Sequence, residues 1–95
     1  MSLAALRARR AEPSPFPRLL KAGRKRRRLS QLELALQSGV SQRHVSFLES
    51  GRAKPSRAMI LQLSETLGVP LRERNVLLIA AGFAPAFFAF IEPSD

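Results

Sequence analysis

Residues 29–51, LSQLELALQSGVSQRHVSFLESG, carry the clearest structural signal in the chain. Ser30, with Glu33 three residues later, is the pattern of a serine N-cap and an acidic residue in the first helical turn. Gly39 supplies the left-handed conformation that ends a helix, and Ser41 then offers a second N-cap. A final glycine closes this second segment. The sequence therefore predicts two helices of about eight to ten residues separated by a very short turn.

A turn of this length joins two helices that cross steeply, which is the arrangement of a helix-turn-helix. In that arrangement the first helix lies against the DNA backbone, and the second presents its N-terminal residues to base edges in the major groove. We therefore expect the helix that begins at Ser41 to read DNA.

Three more helices are predicted around this pair, which makes the chain an all-α, compact bundle of five short helices. The first runs from about Pro17 to Arg27, the fourth follows a serine cap at Ser56, and the fifth runs from about Leu71 to Ala81. The apolar residues predicted to supply the core are Leu19, Leu20, Leu34, Ala35, Val45, Leu48, Met59, Ile60, Leu63, Leu67, Val76, Leu77, Ile79 and Ala80.

Composition divides the chain into three parts. Residues 1–15 form a basic arm in which alternating prolines oppose a regular helix. Residues 16–82 hold the helix-turn-helix domain, and residues 83–95 form an apolar tail rich in phenylalanine. We expect this tail to pack on the domain, to form a dimer contact, or to open a second domain. Leu32 and Leu36 form an apolar pair on the second helix that also needs cover.

The positive charge is concentrated at one end of the chain. Sixteen Lys and Arg residues oppose seven Asp and Glu residues, which gives a formal net charge of +9. Residues 1–28 alone contain ten basic side chains and one acidic side chain, Glu12. Such a cluster favours a polyanionic partner, because neutralised phosphates release condensed counterions. Nucleic acid is the preferred partner, and an anionic membrane surface or a merely solvated helix face are the alternatives.

The residue inventory argues against an enzyme. The chain has one histidine, no cysteine, no tyrosine and no glycine-rich phosphate loop, and its well-placed serines are explained as helix caps. No catalytic group, metal site or cofactor is predicted. The apolar runs are shorter than the roughly 20 residues of a membrane span, so no membrane insertion is expected. The lack of cysteine is compatible with a cytoplasmic protein.

Four linked elements resemble the XRE, or lambda-repressor-like, family of helix-turn-helix transcriptional regulators. They are LSQLELA at 29–35, GVS at 39–41, LESGR at 48–52 and KPS at 54–56, and the resemblance spans about residues 16–78. It implies sequence-specific binding of double-stranded DNA by a transcriptional regulator of the repressor type, acting as a homodimer on DNA. The segment LRERNVLLIAAGFAP also resembles a subgroup with a following ligand-sensing domain. That likeness implies an effector bound by a C-terminal domain missing from this sequence.

The resemblance also assigns residues to a DNA interface. Its base-contact positions fall on Ser41, Gln42, Arg43 and Phe47. Glutamine suits adenine, arginine suits guanine, and phenylalanine suits the methyl group of thymine, although burial of Phe47 under a tail or a partner is the alternative. The phosphate-contact positions fall on Gln31, His44, Arg52, Lys54, Ser56 and Arg57.

Two further expectations concern structure rather than DNA contact. The resemblance pairs Arg24 with Glu49 in a salt bridge that would hold the reading helix against the scaffold. His44 has no second ligand beside it, which favours packing or phosphate contact over metal binding.

Two other classes of function remain open. One is a protein-interaction module that uses the same fold, such as a toxin-neutralising antitoxin. The other is a membrane or RNA binder that depends on the basic residues between 7 and 28 alone.

Overall fold

The computed structural model describes residues 14–87, and within them it contains five α-helices and no strand. The helices are α1 (Phe16–Arg26), α2 (Gln31–Ser38), α3 (Gln42–Ser50), α4 (Arg57–Leu67) and α5 (Leu71–Ala80). These bounds agree closely with the predicted ones, and the all-α fold is confirmed. None of these five helices is long and apolar enough to cross a membrane. Most of the predicted arm, residues 1–13, and the end of the predicted tail, residues 88–95, lie outside the described residues.

Local sequence fixes where α2, α3 and α4 start and stop. Each begins after a serine whose side-chain oxygen accepts a hydrogen bond from the backbone N–H three residues later. The serines are Ser30, Ser41 and Ser56, and the distances are 3.0, 3.1 and 3.1 Å. Each helix ends at a glycine with positive φ, namely Gly39, Gly51 or Gly68. Glycine adopts this left-handed conformation without the steric cost that a side chain would add.

The hydrophobic core draws on all five helices. Its most buried side chains are Phe16, Leu20, Leu34, Val45, Leu48, Ile60, Leu63, Leu67 and Leu78. In α5 the prediction of core residues is partly wrong, because Val76 and Ile79 are 49% and 57% exposed. Residues three positions apart share one side of a helix, and in α5 that side faces solvent. Leu77 and Leu78 fill the core instead, and Leu78 was not among the predicted core residues.

One side chain directly after α1 and one in α4 close the ends of other helices. Arg27 donates through Nη1 to the carbonyl of Leu67, at the last turn of α4, over 2.7 Å. The side-chain amide of Gln62, in α4, donates to the carbonyl of Ser38, at the end of α2. Carbonyls at the C-terminus of a helix lack partners within it, so these contacts satisfy them. The bond of Gln62 joins α4 to α2 and that of Arg27 joins the end of α1 to α4, while α3 packs on α1 and α2.

The residues that follow α5 fold back onto the domain. Phe83 and Ala86 pack against the core. The buried side chain of Asn75 accepts hydrogen bonds from the N–H groups of Ala86 and Phe87, at 3.0 and 3.1 Å, and donates one to the Phe87 carbonyl at 3.3 Å. Residues 83–87 therefore pack on their own domain, which is one of the three roles expected for the tail.

Candidate nucleic-acid interface

The two sides of α3 have different surroundings. Val45 and Leu48 are completely buried and face the core. Ser41, Gln42 and Arg43, at the N-terminal end of the helix, are exposed. The N-terminus of a helix presents unpaired N–H groups and favours anions. The sequence-predicted base-contact residues at 41–43 are therefore accessible on one end of a helix that is firmly packed along its other side.

Glu49 connects α3 to both α1 and α2. Its carboxylate accepts hydrogen bonds from Nε and Nη2 of Arg24 in α1, over 2.6 and 2.9 Å, and from the amide of Gln31 in α2, over 3.1 Å. Arg24 also donates through Nη1 to the carbonyl of Leu29, over 2.8 Å. The side chains of Arg24 and Glu49 are only 10% and 3% exposed. The structure thus brings Arg24 and Glu49 together as a buried, bidentate ion pair.

The guanidinium of Arg24 stays charged over the whole physiological range. The hydrogen bond to Glu49 raises the pKa of Arg24 above its already high value, with a further rise from the opposite charge and a partial opposing effect of burial. Because Glu49 also accepts from Gln31, the amide of Gln31 has a fixed place at the first turn of α2. The sequence placed Gln31 at a phosphate but did not predict this contact, which depends on how α2 and α3 cross.

Phe47 lies one turn after Arg43 on α3, and its ring is close to two guanidinium groups. The Cζ atom of Arg43 is 5.3 Å from the ring centroid, and the Cζ atom of Arg52 is 5.7 Å from it. The side chain is half-buried. Neither of the two expectations for Phe47, a thymine contact or burial under a tail or a partner, includes these arginines.

The predicted phosphate-contact residues fall into two groups in the structure. Arg52 and Lys54, in the loop after α3, are exposed. The others already have contacts or are less accessible. Ser56 caps α4, Arg57 donates through Nη1 to the carbonyl of Ala84 over 3.1 Å, and His44 is half-buried. The contact of Arg57 with the segment after α5 was missed, because the path of that segment is not encoded near Arg57.

Two basic residues outside the predicted site also border α3. Arg18 and Lys21, both exposed on α1, line an open cleft together with Glu49, Ser50 and Gly51 at the end of α3. The sequence signal for them was only the general excess of charge in residues 1–28. Their position places part of that charge beside the C-terminal end of α3.

These features define a helix-turn-helix DNA-binding domain: two capped helices joined by a three-residue turn, within a five-helix scaffold. A family model described as Helix-turn-helix matches residues 20–74. The chain therefore belongs to the XRE-type helix-turn-helix family of transcriptional regulators.

A relative comes from Bacillus subtilis (strain 168), where it is named "Uncharacterized HTH-type transcriptional regulator RghRB". It is 39% identical to this chain over 75 residues, which cover 78% of the chain and 52% of the relative. The chain thus spans about half the length of the curated relative that it matches. No solved structure matches the chain.

Proposed function

We propose that this protein binds double-stranded DNA sequence-specifically as a transcriptional repressor, and that α3 reads bases in the major groove. The observation that carries the proposal is the asymmetry of α3. Its N-terminal residues Gln42 and Arg43 are exposed, while Glu49 and the buried Leu48 fix the helix to the scaffold. A rigidly held helix with polar side chains at its free end suits base recognition, because little conformational freedom is lost on binding.

The side chains at this end match the chemistry of base edges. Gln42 can bond bidentately to N6 and N7 of adenine, and Arg43 to O6 and N7 of guanine. Ser41 uses its oxygen as the helix cap, so its hydroxyl proton remains available for donation. Phe47 offers an apolar edge for a thymine methyl group.

Ser41, Gln42, Arg43 and Phe47 together form the proposed reading head. Contacts to the DNA backbone surround it. We assign them to Gln31, His44, Arg52, Lys54, Ser56 and Arg57. The second N–H of the Gln31 amide can donate to a phosphate while the first stays on Glu49. The basic arm, residues 1–15, adds affinity that does not depend on sequence. The domain proper, residues 16–82, carries the specificity.

We also infer how the protein assembles on DNA and how it is regulated. One α3 per chain contacts few base pairs, so we infer a homodimer on a site with two inverted half-sites. We also infer an effector bound by a C-terminal domain, because the segment LRERNVLLIAAGFAP resembles a subgroup with a following ligand-sensing domain. Because the proposed target is DNA, we also infer a cytoplasmic location.

Selection of binding sites from a random duplex library tests this proposal. We expect two inverted half-sites about one helical turn apart, with footprints on one face of the DNA. An Arg72→Ala variant serves as a matched control, because it removes one exposed positive charge on α5 and should return the same site. Recovery of isolated, asymmetric sites occupied by monomer would contradict the dimer, and recovery of no preferred sequence would contradict specific recognition.

A protein-interaction module, such as an antitoxin, is the second candidate. The observation that favours it is the apolar pair Leu32 and Leu36 on α2, which are 48% and 74% exposed. Exposed apolar side chains of this size suit a protein partner better than a phosphate backbone. A Leu36→Gln variant with unchanged site preference in the selection would assign this pair to something other than DNA.

A further inference from the structure

We infer that Phe47 is a positioning residue: its ring holds the guanidinium groups of Arg43 and Arg52 in place, so that the guanine preference assigned to Arg43 depends on the ring. This inference rests on the proposed function, since it concerns how the reading head is organised. It differs from a direct contact between Phe47 and thymine, because the arginines would carry the effect of the ring.

The first observation is the geometry of the three side chains. Both guanidinium carbons lie within 6 Å of the ring centroid, at 5.3 and 5.7 Å. That separation is within the range at which the π-system attracts a cation. Arg43 and Phe47 are four residues apart on α3 and therefore neighbours on its surface.

The second observation is that the backbone also ties Arg52 to Phe47. The Phe47 carbonyl accepts hydrogen bonds from the N–H groups of Arg52 and Ala53, over 2.9 and 3.2 Å. These bonds close the end of α3 after Gly51, so the loop residue Arg52 is brought back over the last turn. The position of Arg52 beside the ring is thus set by the way α3 ends.

The third observation concerns charge. Within residues 14–87, neither Arg43 nor Arg52 has a carboxylate within 4.0 Å, and Glu49 is engaged by Arg24 and Gln31. Two like charges beside one ring repel each other, and acceptors on DNA would relieve that repulsion. The ring offsets part of the repulsion in the free protein and reduces the rotamer freedom that each arginine must lose on binding.

The consequence is that Phe47 acts on specificity through two neighbours. Removal of the ring should leave α3 intact, because Phe47 is only half-buried and the core side of the helix is formed by other residues. It should free Arg43 to sample several rotamers and weaken its preference for guanine. If Phe47 contributed a direct thymine contact and nothing else, its removal would change the preference at a thymine position and leave the guanine unaffected.

A comparison of Phe47→Leu with Phe47→Tyr tests this inference. We expect Phe47→Leu to weaken binding to the preferred duplex by roughly 3- to 30-fold, with a loss of preference at the guanine that Arg43 reads. Phe47→Tyr keeps the ring and should retain both affinity and preference. In an Arg43→Ala background, Phe47→Leu should lose most of its effect at that base pair.

Nuclear magnetic resonance of the free protein supplies a measurement that needs no DNA. The ring should shift the side-chain Cδ proton signals of Arg43 and Arg52 upfield, and Phe47→Leu should abolish these shifts without altering the core signals. Absence of the shifts in the wild-type protein would overturn the inference, and so would full guanine preference in a folded Phe47→Leu variant. If Arg43→Ala itself left specificity unchanged, the proposed function would fail at Arg43, which is distinguishable from a failure confined to Phe47.

Discussion

The inner and outer sides of α3 differ in what they contact and therefore in what they do. The inner side carries Val45, Leu48 and Glu49, whose side chains are buried against α1 and α2. The outer side carries Gln42 and Arg43, which are exposed. Under the proposed function, this single helix of nine residues would separate stability from recognition. Changes on the inner side should alter folding, and changes on the outer side should alter binding alone.

The most severe effect is expected on the inner side, at Glu49. Glu49→Ala removes the carboxylate that neutralises Arg24 and leaves that guanidinium buried with one remaining hydrogen bond, to Leu29. We expect a loss of about 3 kcal/mol in the free energy of unfolding, which is a large fraction of the stability of a domain this size. Urea denaturation followed by circular dichroism measures it.

The matched control for Glu49→Ala replaces both members of the pair. A double variant, Arg24→Met with Glu49→Leu, puts apolar groups of similar volume in the same place and should recover most of the stability. A single Glu49→Ala variant that lost less than about 1 kcal/mol would mean that the ion pair does not hold α3 to the scaffold.

A smaller effect is expected at the start of α2, where the structure predicts a dependence on pH. Hydrogen bonds from the backbone and hydroxyl of Ser30 lower the pKa of Glu33 below its usual range. A carboxyl whose pKa falls on folding stabilises the fold above its unfolded pKa, and this contribution disappears as the pH falls through the folded pKa. The wild type should therefore exceed Glu33→Gln in stability at neutral pH, with the gap closing on acidification below the usual carboxyl range.

Thermal melts of wild type and Glu33→Gln over a series of pH values check this prediction. The site preference of Glu33→Gln should match the wild type, because Glu33 caps α2 and lies outside the reading head. A gap that widened on acidification would show that the reciprocal cap does not act through the ionised carboxyl.

The parts of the fold that could be predicted are those governed by neighbours in sequence. Ser30, Ser41 and Ser56 act within three residues, and Gly39 and Gly51 act through their own backbone conformation. These caps depend on residues close in sequence and not on how the helices pack, so they can be predicted from the sequence alone. The pairing of Arg24 with Glu49 was expected from the family resemblance, and the structure brings these two side chains together.

The parts that could not be predicted depend on how elements meet in space. The contact of Gln31 with Glu49 requires the crossing angle of α2 and α3, and the engagement of Arg57 by Ala84 requires the path of the chain after α5. In α5, five apolar residues at positions 76–80 offer no clear period, so the sequence could not tell Leu78 from its exposed neighbours.

The most direct test of sequence reading by α3 is a binding titration of wild type, Arg43→Ala and Arg72→Ala on the selected duplex and on random duplex. Both variants lose one exposed positive charge, on α3 and α5 respectively. We expect Arg43→Ala to cost about 1–3 kcal/mol on the selected duplex with little change on random DNA, while Arg72→Ala changes both slightly and equally. If a normally folded Arg43→Ala weakened binding to both duplexes by the same factor, α3 would not be the element that reads the sequence.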